Sequence, residues 1–437
     1  MTTASQRAAA LTLATPCITH TLRPCRTVFD AGLPNLSYQD VDNPREAHRR
    51  IKQARDQAPI AIGPYGPELL SYRLVRTVLR DPRFYLPKGM ALAAQGITSG
   101  PLWDRVAAVL LSLDGAEHDR LRRLVSHAFT PRAVARLRTT IIDIINELVG
   151  GYVPLGTCDI VTDIARQYPV PIICALLGVP PADWHLISHW SDDIIKAFGW
   201  AAADNAETIL AAWNALDTYV DDMISGGCQI APVGLVARLM RDDHNGDCLS
   251  AADMRMLVAG LLIGGTDTTR NQLAAAVDTF CDYPDQWALL AQRPELAANA
   301  AEEVMRHSPV VYFTLRIAKV DVALDGLTIP AGTLVFANTA AANRDPAAYD
   351  DPDCLDIARQ GAPTMLTFGG GPHYCIGAAL ARLELTEGLR VLAQRMPDLR
   401  HSGPAPWKQI YDVSGPQCLP IEFTPGVHRN DPVDACK

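Results

Sequence analysis

The sequence predicts a mostly helical fold with small β-sheets, an α+β class, and three observations carry that prediction. Apolar residues recur at helical spacing over most of the stretch from Glu117 to His307 and again from Cys375 to Met396. Alternation at strand spacing is confined to short runs, chiefly Asp321 to Phe336. No Ser/Gly-rich linker divides the middle of the chain, so one folded unit is expected over residues 44–425, after an extended lead-in at 1–43 and before a flexible tail at 426–437.

In order, the proline-marked lead-in gives way to a helix over Pro44–Gln57, short β segments around Ile60–Leu70, and a helix over Tyr72–Asp81. Breaks in the helical pattern then delimit helices at Glu117–Phe129, Pro131–Val149, Ile160–Leu177, Asp183–Phe198 and Ala206–Ile224. Further helices are expected at Ser250–Cys281, Asp285–Gln292, Leu296–His307 and Cys375–Met396, with Ser250 and Asp253 capping the longest. Turns at Asp325-Gly326 and Pro330-Ala331-Gly332 fold Asp321–Phe336 into a small hairpin sheet. The acidic run Arg241–Asp247 is a surface turn. Read as a calcium loop with Gly246 at the sixth position, it puts Arg241 and Ala252 where carboxylates are required.

Composition excludes several functions. At 437 residues, 48% hydrophobic and 20% charged, the chain buries a large core and lies outside the disordered range. A net charge of −9 without a basic tract argues against a nucleic-acid partner. The 11 cysteines are scattered and form no C-x-x-C pair, which removes zinc and iron–sulfur sites and points to reduced, cytoplasmic thiols. The apolar runs Val106–Leu113 and Leu257–Gly265 fall short of the roughly 18 residues a membrane span needs, so no membrane anchor is expected. Met1–Cys25 lacks the charged start and cleavage site of a secretory signal.

The most informative stretch is Phe368-Gly369-Gly370-Gly371-Pro372-His373-Tyr374-Cys375-Ile376-Gly377, a lone cysteine on a glycine-rich loop that opens a helix. Backbone N–H groups and the positive end of that helix favour negative charge on sulfur, which suits a thiolate metal ligand. A single cysteine is more often a small buried hydrophobe. Here every fixed position of a longer pattern, F-G-x-G-x-H-x-C-x-G, is filled, whereas a dinucleotide fingerprint fails because Tyr374 stands where glycine is required. The pattern resembles the haem-binding signature of the cytochrome P450 family. That resemblance implies a haem b held between a long oxygen-handling helix and the cysteine-loop helix, with Cys375 as the iron ligand and Phe368, His373 and Gly377 against the cofactor. Thiolate ligation of haem favours O–O cleavage.

About 110 residues earlier, Gly264-Gly265-Thr266-Asp267-Thr268-Thr269 breaks the rules of helix composition at a cost of roughly 1 kcal/mol per glycine. Gly264 and Thr268 share one face, and a missing side chain beside a hydroxyl leaves a groove for a small molecule. An isolated G-x-x-x-T is more often a kink with a threonine bonded back along the helix. The stretch resembles the family's [AG]-G-x-[DE]-T-T segment, which implies Asp267 as proton relay and Thr268 as the hydroxyl that meets iron-bound oxygen. Glu303 and Arg306 resemble the family's E-x-x-R, and Arg359 its partner in a structural network. His118 and Arg122 resemble an H-x-x-x-R helix; with Arg316 and His373 they are the expected contacts to the haem propionates.

The resemblance covers about Asp114 through Arg382 and implies a soluble bacterial-type monooxygenase that uses O2 to hydroxylate a lipophilic small molecule. Electrons are expected from NAD(P)H through a separate ferredoxin and ferredoxin reductase, with Arg120, Arg123 and Arg382 as candidate docking residues. Other readings are a haem-thiolate peroxygenase, an oxidative ring-coupling enzyme, or a haem-based sensor without turnover. Gly260, Ile263, Val310, Val311 and Phe313 are the candidate substrate pocket, with the regions 86–111 and 413–419 around it, and their apolar character suits a lipophilic ligand.

Overall fold

The computed structural model describes residues 26–226, 231–232, 234–241 and 249–425. Residues 1–25 of the expected lead-in, 242–247 of the expected surface turn and the expected tail at 426–437 lie outside the described residues. From Arg26 the chain is extended and packed: Thr27 bridges Thr328, Asn35 bridges Ile62, and Val28, Leu36, Tyr38 and Val41 are buried. Asn43 then starts α1 (Pro44–Arg55) by accepting hydrogen bonds from the N–H groups of Arg45 and Glu46, and Ala47, Ile51 and Ala54 form its buried stripe at helical spacing.

The hairpin β1 (Ile60–Gly63) and β2 (Gly66–Leu69) is followed by α2 (Tyr72–Val78) and the short β3 (Phe84–Tyr85). Next come α3 (Pro101–Ala108), α4 (Gly115–Ser126), α5 (Pro131–Val134), α6 (Arg138–Gly150), β4 (Thr157–Asp159), α7 (Pro169–Leu177), α8 (Trp184–Ile194), α9 (Ala206–Ser225) and α10 (Leu235–Arg241). The long α11 (Ala251–Asp282) begins with the expected reciprocal cap, Ser250 and Asp253 each bonding the other's backbone N–H. After it run α12 (Pro284–Gln292), α13 (Ala297–His307), β5 (Phe313–Ala318), β6 (Val322–Leu324), β7 (Leu327–Ile329), β8 (Leu334–Asn338), α14 (Thr339–Ala342), α15 (Ala378–Arg395), β9 (Arg400–His401) and β10 (Pro420–Glu422).

Three expectations need correction. The hairpin sheet is smaller than its sequence run: β6 and β7 form a two-stranded sheet, with β7 also bridged through Thr328 to Thr27, while β8 leaves them for a five-stranded sheet of order β1-β2-β8-β5-β3. The Pro330–Gly332 turn redirects the chain, and the apolar Val335, Phe336 and Ala337 are buried there. Pro131–Val149 is two helices joined by a 3-10 step at Ala135–Leu137. Ile160–Leu177, apolar enough over 18 residues to cross a membrane by length and composition, is broken at Arg166–Tyr168 before Pro169; it starts as a π-helix at Ile160–Ala165 and is mostly buried inside the protein.

The helices share one large apolar core in which α11 packs on α7, α9 and α15. The five-stranded sheet carries two smaller clusters, one of them the aromatic group Tyr38, Tyr312, Phe313, Phe336 and Tyr411. The cysteine loop precedes α15, and the Gly264–Thr269 stretch lies in the middle of α11, so the packing of these two helices sets the distance between the two motifs.

Candidate active site

Cys375 lies ahead of α15, which starts at Ala378 rather than at the cysteine. Its N–H donates to the Phe368 carbonyl (2.9 Å), closing the loop on itself. Gly371, at φ +67°, cannot be replaced by a larger residue because a Cβ would collide with the Leu79 carbonyl. Cys375 is set deep among protein atoms yet keeps accessible surface, as a side chain on the floor of a bowl does. Burial pushes its thiol up, against the opposing pull of the Gly377 and Ala378 N–H groups and the charges of Arg122 and Arg382. The loop and helix end therefore act in the direction the sequence implied, but desolvation outweighs them in the protein alone. A metal ion deprotonates a coordinating thiol outright, so ligation does not require a low thiol pKa beforehand.

In α11, nothing lies within 4 Å of where a Gly264 side chain would be, and this residue is exposed in a helix that is mostly buried. Gly265 faces the other way: a Cβ there would press on Ile173 at 3.3 Å. Thr268 shares the open face, its hydroxyl donating to the Gly264 carbonyl (2.9 Å). Asp267 does not pair with Thr268. Its carboxylate turns to Lys408, 4.0 Å away, and its carbonyl accepts from Asn271 Nδ2 (2.7 Å).

The four expected propionate contacts divide. His118 and His373 lie against each other with tilted rings, centroids 4.3 Å apart, and His373 Nε2 meets Asp114 Oδ1 at 3.0 Å. Arg316 is 3% exposed and, among the described residues, hydrogen-bonds only Thr314 Oγ1 (3.2 Å) and the Leu315 carbonyl (2.7 Å). Burial holds its guanidinium down to about 10, partly offset by the more distant Asp114. A buried cation without a paired carboxylate, next to two imidazoles, is a donor set that an anion would complete. It fits the propionate edge of a haem, as the accessible thiol fits the iron. Arg122 is engaged elsewhere, donating to the Tyr374 carbonyl, and so braces the cysteine loop.

The structural network forms. Arg306 grips Glu303 through two parallel hydrogen bonds (2.8 and 2.7 Å) and donates to the carbonyls of Asn343, Pro352 and Cys354. Arg359 Nε adds a third contact to Glu303 (3.1 Å). Phe368 is covered by the Arg382 guanidinium, 4.5 Å from the ring centroid. Of the arginines expected on a docking face, Arg382 is paired with Glu302 and Arg120 with Asp253, while Arg123 is exposed.

Most of the candidate pocket residues come together. The Ser414 N–H donates to the Val310 carbonyl (2.9 Å), joining the 413–419 region to the segment after α13, and Val311 and Val413 pack on the same aromatic cluster as Phe313. Phe313 lies against Phe336 (4.8 Å) and Tyr411 (5.0 Å). Ile263 is buried in the helical core. Gly260 faces the segment before α4, where a Cβ would lie in ordinary contact with Val109 and Leu110 at 3.8–3.9 Å. Sequence reasoning missed Asp114, Asn271 and Lys408. Asp114 at least stands at the start of α4, where its carboxylate makes no cap and goes to His373 instead.

The cytochrome P450 family pattern matches residues 282–395. The chain is 34% identical over 397 residues to luteothin monooxygenase of Streptomyces thioluteus, covering 90% of this chain and 97% of that one. It is 39% identical to mycinamicin IV hydroxylase/epoxidase of Micromonospora griseorubida (82% and 90% covered) and 34% identical to vitamin D(3) 25-hydroxylase of Pseudonocardia autotrophica (82% and 87%). Among solved structures, CalO2 superposes with a TM-score of 0.82 at 30% identity, over 90% of this chain and 100% of CalO2.

Proposed function

Because the chain belongs to the cytochrome P450 family and its named relatives are monooxygenases, we propose that it hydroxylates a lipophilic small organic molecule at a haem b ligated by Cys375. The observation that carries this reading is the pairing of an accessible, deeply set thiol with a buried, unpaired Arg316 beside His118 and His373. Bound there, the haem would supply oxygen activation, which thiolate ligation promotes.

The chain's own residues do the rest. The Gly377 and Ala378 N–H groups, with Arg122 and Arg382 nearby, stabilise negative charge on the Cys375 sulfur. Arg316, His118 and His373 hold the propionates, and Gly264 gives the cofactor face of α11 its clearance. Thr268 Oγ1 presents a hydroxyl on that face and Asp267 relays protons toward it, general acid–base work that contributes about 10²–10⁴-fold in enzymes. Ile263, Val310, Val311 and Phe313 bind the substrate's apolar surface and exclude water. Relatives named for vitamin D(3) and mycinamicin IV support a lipophilic substrate. Electrons come from a separate ferredoxin and its reductase, docking at the exposed Arg123.

The absorption spectrum of the reduced protein under carbon monoxide tests the assignment. A Soret band shifted far to the red is expected for the wild type and lost in Cys375→Ala. An unshifted band in the wild type overturns the thiolate assignment.

A further inference from the structure

A second cleft, of about 940 Å³, opens where α1 meets the last turns of α11, the residues that end α13 and the 401–407 segment. Small-molecule sites occupy about 300–1,000 Å³. Among the described residues, none of those placed above at the cofactor or the substrate lines it. Thr279, on its α11 side, stands about 16 Å along the helix from Thr268.

Of the charged side chains that line this cleft, Arg344 is the least exposed, at 12%. Its Nε and Nη2 donate to the His307 carbonyl (3.0 and 2.5 Å), and the carboxylate oxygen that approaches Nη1, Asp353 Oδ1, is 3.5 Å away. Asp353 is itself taken by Lys52 of α1, whose Nζ donates to Oδ2 at 2.6 Å. The other acids are committed or peripheral. Asp278 holds His401 Nε2 (2.8 Å) and Trp407 Nε1 (3.0 Å), Asp282 pairs with Arg45, and Asp42 is exposed. His48 also lines the cleft, and its Nε2 is buried without a hydrogen-bond partner. Burial, and then the positive charge of Arg344, hold that imidazole well below 6.5, so it is neutral at pH 7.

A largely buried guanidinium with one long carboxylate contact gains most from an anion. A cationic ligand would find each inner carboxylate already engaged. Trp407, Tyr283 and Pro406 supply flat apolar surface beside these polar groups. We propose that the cleft is a second binding site, for a small organic carboxylate whose head pairs with Arg344 Nη1 while its flat apolar body lies against Trp407. His48 Nε2 serves the head directly or through one water, and Asp353 stays with Lys52.

The probe is 4-bromobenzoate, titrated calorimetrically into haem-loaded protein beside the neutral 4-bromobenzamide. The acid should bind about tenfold more tightly, the margin that a charge-assisted hydrogen bond holds over a neutral one. In soaked crystals the bromine anomalous peak should lie beside Trp407. Two exposed substitutions set the sign. Asp353→Asn takes the competing carboxylate from Arg344 and should tighten 4-bromobenzoate about threefold, whereas Lys52→Met returns Asp353 to Arg344 and should weaken it by about as much, the scale of an exposed ion pair. Equal affinities for acid and amide overturn the proposal, as does an unchanged affinity in both variants. A bromine peak found only in the haem pocket overturns it as well.

Discussion

Single side chains in this fold carry ionisation states that decide their worth. Glu384 in α15 is 1% exposed, and neither carboxyl oxygen has a hydrogen-bond partner of standard geometry. Burial pushes its carboxyl well above the ordinary value, with the Thr269 hydroxyl only partly opposing, so the folded protein keeps a proton that the unfolded chain releases above about pH 4.5. That difference costs stability as pH rises. Glu384→Gln removes the ionisation and should stabilise the protein by about 1–3 kcal/mol at neutral pH, with the gain vanishing near pH 4; urea unfolding of both proteins across that range measures it. No gain at neutral pH would show that the carboxylate finds solvent in the folded state. The legible residues were those in dense motifs. Cys375, Gly371 and Thr268 occupy strings in which several positions agree, whereas Lys408 and Asn271 are 137 residues apart and each alone is an ordinary polar side chain.

Elements were readable where one periodicity governed the whole segment. α11 and its cap follow from apolar spacing and Ser250-x-x-Asp253, because local rules suffice there. β5 and β8 were harder, since their partners are set by the sheet: Phe313 faces Asn338 and Leu315 faces Phe336. The Glu303–Arg306–Arg359 group is where an element's local pattern becomes tertiary. On α13 alone, Glu303 and Arg306 form an i, i+3 pair of the kind worth a few tenths of a kcal/mol. In the fold their side chains are 5% and 3% exposed, and Arg306 also donates to the carbonyls of Asn343, Pro352 and Cys354. Arg306→Ala leaves a buried carboxylate with two of its four hydrogen bonds, those from the Asp356 N–H and Arg359 Nε, and should cost about 3–5 kcal/mol, seen as a lowered urea midpoint and poor recovery of haem-loaded protein. A loss below about 1 kcal/mol would mean that Arg359 can carry the network unaided.

Across the molecule, acid should be more damaging than the net charge suggests. Burial depresses His48 and His307 well below 6.5, and the positive charge of Arg344 adds to the effect on both. Below that pH the unfolded chain takes up protons that the folded one refuses, so stability falls on acidification by up to about 1.4 kcal/mol per unit per histidine. Between pH 7.5 and 5.5 the opposing gain from Glu384 is common to both proteins, so the unfolding free energy of the wild type should fall relative to that of His48→Phe as the pH drops; a constant difference between the two would place the acid sensitivity elsewhere. The sheet has a different consequence, in the order of assembly. β2 pairs in parallel with β8, Glu68 opposite Phe336, so the hairpin near the start of the fold has no lasting neighbour on that edge until the chain has grown by more than half its length. Contacts this distant in sequence slow folding. During synthesis, Leu69 and its apolar neighbours are exposed until β8 leaves the ribosome, and that interval, more than the helical core, is where a chaperone would find this chain.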